Sequence, residues 1–207
     1  MVGQINRGSQ LGEIIYNLVS SEEIKTIVEI GTWNGMGSTK CIYDAILQTN
    51  KKNYLVYSLE SDSKFYKESL QNLPKLENFN ILLGRIIEVD DLVDIDKCDD
   101  GFFVPMSNKE IMRGWLSEDI KNYNSVPNIL DQIPEKIDLL ILDGGEFSSF
   151  GEFNILKDRS TYFVLDDTLL IKNNEVSKIM RDDNTYEILH DNINDRNGFL
   201  VSKKIEK

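Results

Sequence analysis

Short runs of apolar residues, each followed by a glycine or an acidic residue, recur along this chain. The first run covers residues 26–30 and is followed by Gly31. Runs of this length that are rich in β-branched residues are typical of strands buried in a parallel sheet. The same pattern predicts further strands at 54–59, 79–83, 138–142 and 161–165, and two final strands at 186–190 and 199–202, with a turn at Asn197 and Gly198 between them.

Segments with helical periodicity lie between these strands. Apolar residues at helical spacing predict an amphipathic helix over 9–20, which could pack on the sheet or on a second copy of the chain in a homo-oligomer. Further helices are expected at 37–48, 64–72 and 173–181, with Ser61 or Ser63 capping the second of these. Because strands alternate with helices, the fold class is predicted to be α/β: a doubly wound, mostly parallel seven-stranded sheet with an antiparallel edge strand.

Residues 85–134 are too long for a simple connection between two strands. They contain several aromatic residues, among them Trp115 and Tyr123, and disordered linkers seldom carry so many. We therefore expect a single domain over residues 1–207, within which residues 85–134 form a cap insertion.

The composition narrows the choice of partner. The chain of 207 residues has 35 acidic and 23 basic residues, which gives a net charge of −12. It has no basic cluster beyond Lys203, Lys204 and Lys207, so a nucleic acid is not expected as a partner. No apolar segment approaches the length of a membrane span, and no signal peptide begins the chain, so no membrane partner is expected. Two cysteines do not make a disulfide framework. We expect a cytoplasmic protein that acts on a small molecule.

The chain has one histidine, His190. This count excludes zinc sites that need two or three histidines, and any Ser–His or Cys–His hydrolase would have to use His190. His190 falls in a predicted strand near the C-terminus, so we expect it at the surface or at an end of the sheet.

Acidic residues mark the ends of the predicted parallel strands. In sheets of this type, ligands bind beyond the carboxyl ends of the strands. Five of the six residues expected there are acidic, so a cation or raised pKa values must offset their mutual repulsion. The six are Glu29, Glu60, Gly84, Asp143, Asp166 and Asp167.

The first predicted strand leads into a glycine turn, with Gly31, Gly35 and Gly37 following Glu29. Trp33 stands where the dinucleotide-binding fingerprint requires a glycine, and the sequence does not match the phosphate-loop pattern either. One interpretation is therefore an ordinary βα turn. The spacing resembles the first motif of class I S-adenosylmethionine-dependent methyltransferases.

Glu60 closes the second predicted strand and resembles the second motif of the same enzymes. A carboxylate at this position can accept hydrogen bonds from both hydroxyls of a ribose. The alternative is a solvated glutamate at a strand end.

Two later segments resemble small-molecule O-methyltransferases of the catechol and macrolide-sugar type. One is the run from Leu139 through Asp143 to Glu146, and the other ends in Asp166 and Asp167. In those relatives the corresponding aspartates hold magnesium, so the resemblance implies a Mg²⁺ site at these three aspartates, whose hard oxygens suit that ion. Alternatively, Asp143 contacts cofactor or substrate and the aspartate pair caps the next turn.

The resemblance implies an S-adenosylmethionine-dependent methyltransferase that moves a methyl group to a hydroxyl of a small molecule with the assistance of magnesium. Glu146 stands where the family has a histidine, so Glu146 either takes over the role of base or that role is lost. The implied catalytic residues are Glu146 and Asp143, with Trp115 and Tyr123 of the cap supplying the acceptor pocket. The implied cofactor-binding residues are Glu29, Gly31, Gly35, Gly37, Ser38, Glu60, Gly84 and Arg85.

Two other functions stay open at this point. One is a different nucleotide-using enzyme of the same architecture, such as an NAD-dependent oxidoreductase, although the missing fingerprint argues against it. The other is a non-catalytic protein that binds a ligand or a partner, because Glu146 replaces the family histidine and a fold alone does not define a function.

Overall fold

The computed structural model describes residues 3–105 and 107–205, so Lys207 and the outermost ends of the expected domain lie outside it. Within these ranges, helices alternate with the strands of one sheet. The strands are Thr26–Ile30 (β1), Leu55–Glu60 (β2), Phe79–Leu83 (β3), Ile137–Leu142 (β4), Ser160–Asp166 (β5), Tyr186–Asn192 (β6) and Phe199–Lys204 (β7). The α-helices are Gln10–Ser20 (α1), Ser38–Gln48 (α2), Ser63–Asn72 (α3), Lys109–Ser125 (α4), Ser149–Leu156 (α5) and Asn174–Asp182 (α6).

The strands form one mixed sheet in the order β3-β2-β1-β4-β5-β7-β6. The strands from β3 to β5 are parallel to one another, and β7 runs antiparallel to both β5 and β6. This arrangement confirms the predicted α/β class with its antiparallel strand. The strand order reverses direction between β1 and β4, and such a switch point opens a crevice at the carboxyl ends of the strands.

Both faces of the sheet are covered by apolar layers, which explains the uninterrupted apolar runs in the sequence. Neighbouring residues of β1 point to opposite layers: Ile27 packs with the side chains of α1 and α2, whereas Val28 packs with those of α5 and α6. Ile15 and Val19 of α1 are fully buried in the first layer. The apolar face of α1 is therefore covered by the chain itself.

The structure corrects some details of the predicted elements. Asp62, rather than Ser61 or Ser63, caps α3: its Oδ1 accepts a hydrogen bond from Lys64 N at 2.7 Å. Helix α4 was not predicted, because only Met112 and Tyr123 of its 17 residues are buried and its apolar periodicity is correspondingly weak.

Residues 85–134, the predicted insertion, pack along the sheet. Their two ends meet through backbone hydrogen bonds from Arg85 N to Pro127 O and from Ile129 N to Arg85 O, at 3.0 and 2.8 Å. A small cluster joins them to the segments that follow β4 and β5. Its buried members are Ile95, Phe103, Met112, Phe147 and Ile171.

The remaining expectations concern His190, the cysteines and membrane spans. His190 is exposed in β6, opposite Val201 of β7, which confirms its expected place at the surface. Cys41 and Cys98 are both free thiols. Over the part of the chain that the structure describes, no helix combines the length and apolarity that a membrane crossing requires.

Candidate functional site

A cavity of about 570 Å³ opens at the carboxyl ends of the parallel strands. Its wall is built by the turns after β1, β2, β3, β4 and β5, by residues 3–5 and by one side of α4. Of the residues that the sequence predicted for a site, the wall contains Gly31, Gly37, Ser38, Glu60, Gly84, Arg85, Asp143, Asp166 and Asp167. Most of the predicted site is therefore brought together in one place.

Gly31 lies where β1 and β4 separate. Its φ of 101° is a conformation that other residues rarely adopt, and a Cβ here would lie 2.2 Å from the carbonyl oxygen of Asp143. Gly35 (φ 78°) packs on α3, where a Cβ would lie 2.9 Å from Leu73 Cδ1, and it is not part of the cavity wall. Gly35 thus shapes the turn, whereas at Gly31 the backbone itself forms part of the cavity wall.

The turn ends at Gly37, the N-cap of α2, and Ser38 is the first residue of that helix. Both line the cavity, so the free N–H groups of the first helical turn lie at its wall. A helix N-terminus favours an anionic group, such as a carboxylate or a phosphate, on a ligand.

Glu29 lies beneath this turn and does not reach the cavity. Its side chain is fully buried, and Oε2 accepts hydrogen bonds from Thr39 Oγ1 and Ser58 Oγ at 2.7 and 2.5 Å. Burial raises the pKa of Glu29 to about 7, although neighbouring hydroxyls counter part of the rise. Glu29 therefore ties β1 to β2 and to α2, and it orders the turn from below.

Glu60 lies at the end of β2 and lines the cavity. Its Oε2 accepts a hydrogen bond from Trp33 N at 2.6 Å, and its Oε1 accepts one from Asp62 N at 2.8 Å. Burial raises the pKa of Glu60 to about 7. The two backbone bonds fix the carboxylate, and each oxygen keeps a lone pair for a ligand hydroxyl.

Gly84 and Arg85 form the wall beyond β3. A Cβ on Gly84 would lie 2.8 Å from side-chain atoms of Ile129. The Arg85 guanidinium donates hydrogen bonds to Tyr123 O at 2.9 Å and to Ile87 O at 2.6 Å. Arg85 thus holds the inserted residues against this end of the cavity.

The aspartates at the ends of β4 and β5 form ion pairs with two basic side chains. Lys172 Nζ lies 2.8 Å from Asp143 Oδ1 and 3.4 Å from Asp167 Oδ2. Arg196 Nη2 lies 3.0 Å from Asp166 Oδ2 and 3.3 Å from Asp167 Oδ1. Lys172 is almost fully buried, with 6% of its side chain exposed; burial acts to lower its pKa, but the carboxylates around it outweigh this effect and raise the pKa. Burial and the charge of Asp143 raise the pKa of Asp166.

The predicted magnesium site does not fit this arrangement. Five of the six carboxylate oxygens of the aspartates already accept hydrogen bonds from side chains, and the buried ammonium of Lys172 lies between two of the carboxylates. Among the residues in the described ranges, no group of three or more His, Cys, Asp or Glu side chains is arranged to hold a metal ion. The donors to the five oxygens are Lys172, Ser38, Arg196 and Asn197.

Glu146, the predicted base, lies near this cluster but is not part of the cavity wall. Burial raises its pKa, and the charge of Lys172 counters this rise. Trp115 of the insertion is also outside the wall and is 38% exposed, whereas Tyr123 lines the cavity. The geometry thus favours Asp143 over Glu146 for contact with a ligand.

Strained backbone is concentrated around the cavity. Trp33, Asp167 and Arg196 have φ values of 49°, 55° and 53°, and all three line the wall. Residues other than glycine rarely adopt such φ values. Where they do, the surrounding structure holds them in this conformation, and such residues are frequent at ligand-binding sites.

Several residues of the site were missed in the sequence. Lys172 and Arg196 lie outside the motifs, although the apolar run 169–171 directly before Lys172 was a signal that this lysine could be buried. Asn173 is fully buried, and its Nδ2 donates to Leu142 O and Asp166 O at 3.0 and 2.7 Å, which joins the ends of β4 and β5. Asp119 of α4 also lines the cavity, and burial raises its pKa to about 6.

Comparison with known proteins identifies the fold. No family model and no curated protein sequence matches the chain. Solved structures do match over nearly its whole length. A putative O-methyltransferase from Klebsiella pneumoniae aligns with a TM-score of 0.60 at 12% identity, covering 99% of this chain and 84% of that one. An O-methyltransferase from Bacillus cereus, solved with S-adenosylhomocysteine (SAH), aligns with a TM-score of 0.58 at 12% identity over 98% of this chain and 84% of that one.

A methyltransferase from Geobacter sulfurreducens is similar to the same degree, with a TM-score of 0.58 at 14% identity over 98% of this chain and 82% of that one. At these identities the likeness is one of fold. The chain has the Rossmann-like fold of class I methyltransferases, as its motifs predicted.

Proposed function

We propose that the protein is an S-adenosylmethionine-dependent methyltransferase that acts on a hydroxyl group of a small molecule. The observation that carries this proposal is the convergence of Gly31, Ser38, Glu60 and Gly84 on the wall of one cavity, at the switch point of a methyltransferase fold. The similar O-methyltransferases, one of them solved with SAH, support the choice of cofactor.

The cofactor would lie across the ends of β1, β2 and β3. Its ribose hydroxyls would donate to Glu60, and its methionine carboxylate would face Gly37 and Ser38 at the N-terminus of α2. The adenine would lie near Gly84, and the Asp119 carboxylate on α4 offers an acceptor for its amino group.

The acceptor would then occupy the part of the cavity beside Asp143 and Lys172. Transfer forms a bond between the acceptor oxygen and the methyl carbon, while the bond from that carbon to sulfur breaks and its electron pair stays on sulfur, which yields SAH. The protein aligns the two reactants and removes the hydroxyl proton. Asp143 lines the cavity and is the carboxylate that we assign to receive this proton, a role for which Glu146 is less well situated.

The test is transfer of a labelled methyl group from S-adenosylmethionine to a panel of alcohols, phenols and sugars. We expect labelled product and SAH with the wild type, and at least a hundredfold slower transfer with Asp143→Asn, since general bases contribute about 10²–10⁴-fold. A protein that binds SAH but transfers the label to no hydroxyl would instead be a non-catalytic member of the fold.

A further inference from the structure

We propose that the Lys172 ammonium stands in the place where the O-methyltransferases that this chain resembles hold a magnesium ion, so that the site is independent of divalent cations. If the proposed function holds, the acceptor would meet a fixed ammonium ion instead of a metal. The exclusion of a metal ion does not depend on that function, because it follows from the contacts of Lys172.

The position of Lys172 is fixed from several sides. It lies on the turn between β5 and α6, next to Asn173, whose amide is bonded to the ends of β4 and β5. On the other side, Ile171 N donates to Phe102 O of the inserted residues at 2.7 Å. Because hydrogen bonds to backbone carbonyls hold both neighbours, the lysine stem enters the cluster from a fixed point, and the ion pairs hold the ammonium between Asp143 and Asp167.

The charges already present in the cluster oppose the binding of a metal ion. Asp143, Asp166 and Asp167 carry at most three negative charges, and Lys172 and Arg196 carry two positive ones. A divalent ion bound to the same carboxylates would lie within a few ångströms of the ammonium, and like charges at that distance repel strongly in a buried site. Lys172 would have to leave before such an ion could bind.

The ammonium keeps capacity for a ligand. It carries three N–H donors, and the contacts with Asp143 and Asp167 use two of them. Lys172 lines the cavity, so the third donor is available to an oxygen of the acceptor, where its charge would stabilise the negative charge that develops during deprotonation.

The test compares Mn²⁺ binding to the wild type and to Lys172→Ala by electron paramagnetic resonance, which reports the free ion. We expect the wild type to leave the free-Mn²⁺ signal unchanged. Lys172→Ala should remove about one equivalent of Mn²⁺ from solution, and addition of Asp143→Asn to that variant should abolish the binding. Lys178→Ala, which removes an exposed lysine on α6, serves as the charge-matched control and should behave as the wild type does.

A second measurement covers the case in which Lys172→Ala folds poorly because its carboxylates are left unpaired. Lys172→Ser leaves the place of the ammonium open, and Mg²⁺ should raise its melting temperature by several degrees while leaving that of the wild type unchanged, since an ion that binds only the folded state stabilises it. Stoichiometric binding of Mn²⁺ to the wild-type cluster overturns the proposal, and so does a folded Lys172 variant that gains no affinity for either ion. A titration with SAH, run on the same proteins, reports separately on the proposed function.

Discussion

Tyr123 and Glu152 join the inserted residues to the helix that follows β4: Tyr123 Oη donates a hydrogen bond to Glu152 Oε1 at 3.2 Å. Both side chains are buried, and burial raises the pKa of Glu152 to about 7. The hydroxyl of Ser148, which lies beside Glu152, and that of Tyr123 both counter part of this rise. The Tyr123 hydroxyl is therefore one source of polar compensation for this carboxyl group.

Tyr123→Phe should lower the free energy of unfolding by about 1–3 kcal/mol, because it removes a hydrogen bond from a buried carboxyl group. Urea denaturation followed by circular dichroism measures the change. Tyr16→Phe is the matched control, since the Tyr16 hydroxyl bonds to Gln48 at an exposed site, and its effect should stay within about 0.5 kcal/mol. Equal effects of the two substitutions would mean that the buried hydrogen bond contributes no more to stability than the exposed one.

Gly31→Ala and Gly114→Ala should have opposite effects on stability. At Gly31 a Cβ would lie 2.2 Å from the Asp143 carbonyl oxygen, at a φ of 101°, so we expect a loss of several kcal/mol and of cofactor binding. At Gly114, within α4, a Cβ would meet no atom within 4 Å, and the alanine should stabilise the helix by about 0.5–1 kcal/mol. Thermal unfolding of the two variants checks both, and a harmless Gly31→Ala would contradict the described turn.

Glu29 should make the protein less stable as the pH rises. Its pKa is about 7 in the folded state and near 4.5 in the unfolded chain, so between these values the folded state binds more protons. Stability therefore falls as the pH rises through this window, and the difference of about 2.5 units corresponds to roughly 3 kcal/mol.

Urea denaturation at pH 5 and pH 8 measures this dependence. Glu29→Gln should lose less stability between the two values than the wild type does, whereas Glu77→Gln, at an exposed position, should keep the wild-type dependence. Identical pH dependence in all three proteins would show that Glu29 does not carry an elevated pKa.

The sequence allowed the sheet to be predicted well because its strands are buried on both faces. Residues of β1 such as Ile27 and Val28 are apolar whichever way they point, so the whole strand stands out as one run. The bounds of β3 were also predicted correctly, although it is an edge strand and its residues are only half-buried. By contrast, Ile111 and Trp115 of α4 are exposed, and its buried residues are too few to produce a helical periodicity of apolar positions.

Of the candidate site, only the residues that belong to sequence motifs were predicted. Glu60 and Asp143 were found because strand ends and glycine turns mark them. The contacts of Lys172 could not be predicted, because they depend on how the turn after β5 folds back over β4, and no local pattern encodes that path. For the same reason three neighbouring aspartates suggested a metal, although the structure neutralises them with Lys172 and Arg196.

The most direct test of the central claim is calorimetric titration of the purified protein with SAH, with NAD⁺ as the comparison. We predict one binding site for SAH and no binding of NAD⁺. Glu60→Ala should weaken the SAH affinity by about 10- to 100-fold, since hydrogen bonds to a charged group are worth about 1.5–3 kcal/mol, and Glu77→Ala should leave it unchanged. A wild-type protein that fails to bind SAH, or a Glu60→Ala variant that binds it equally well, would contradict the account.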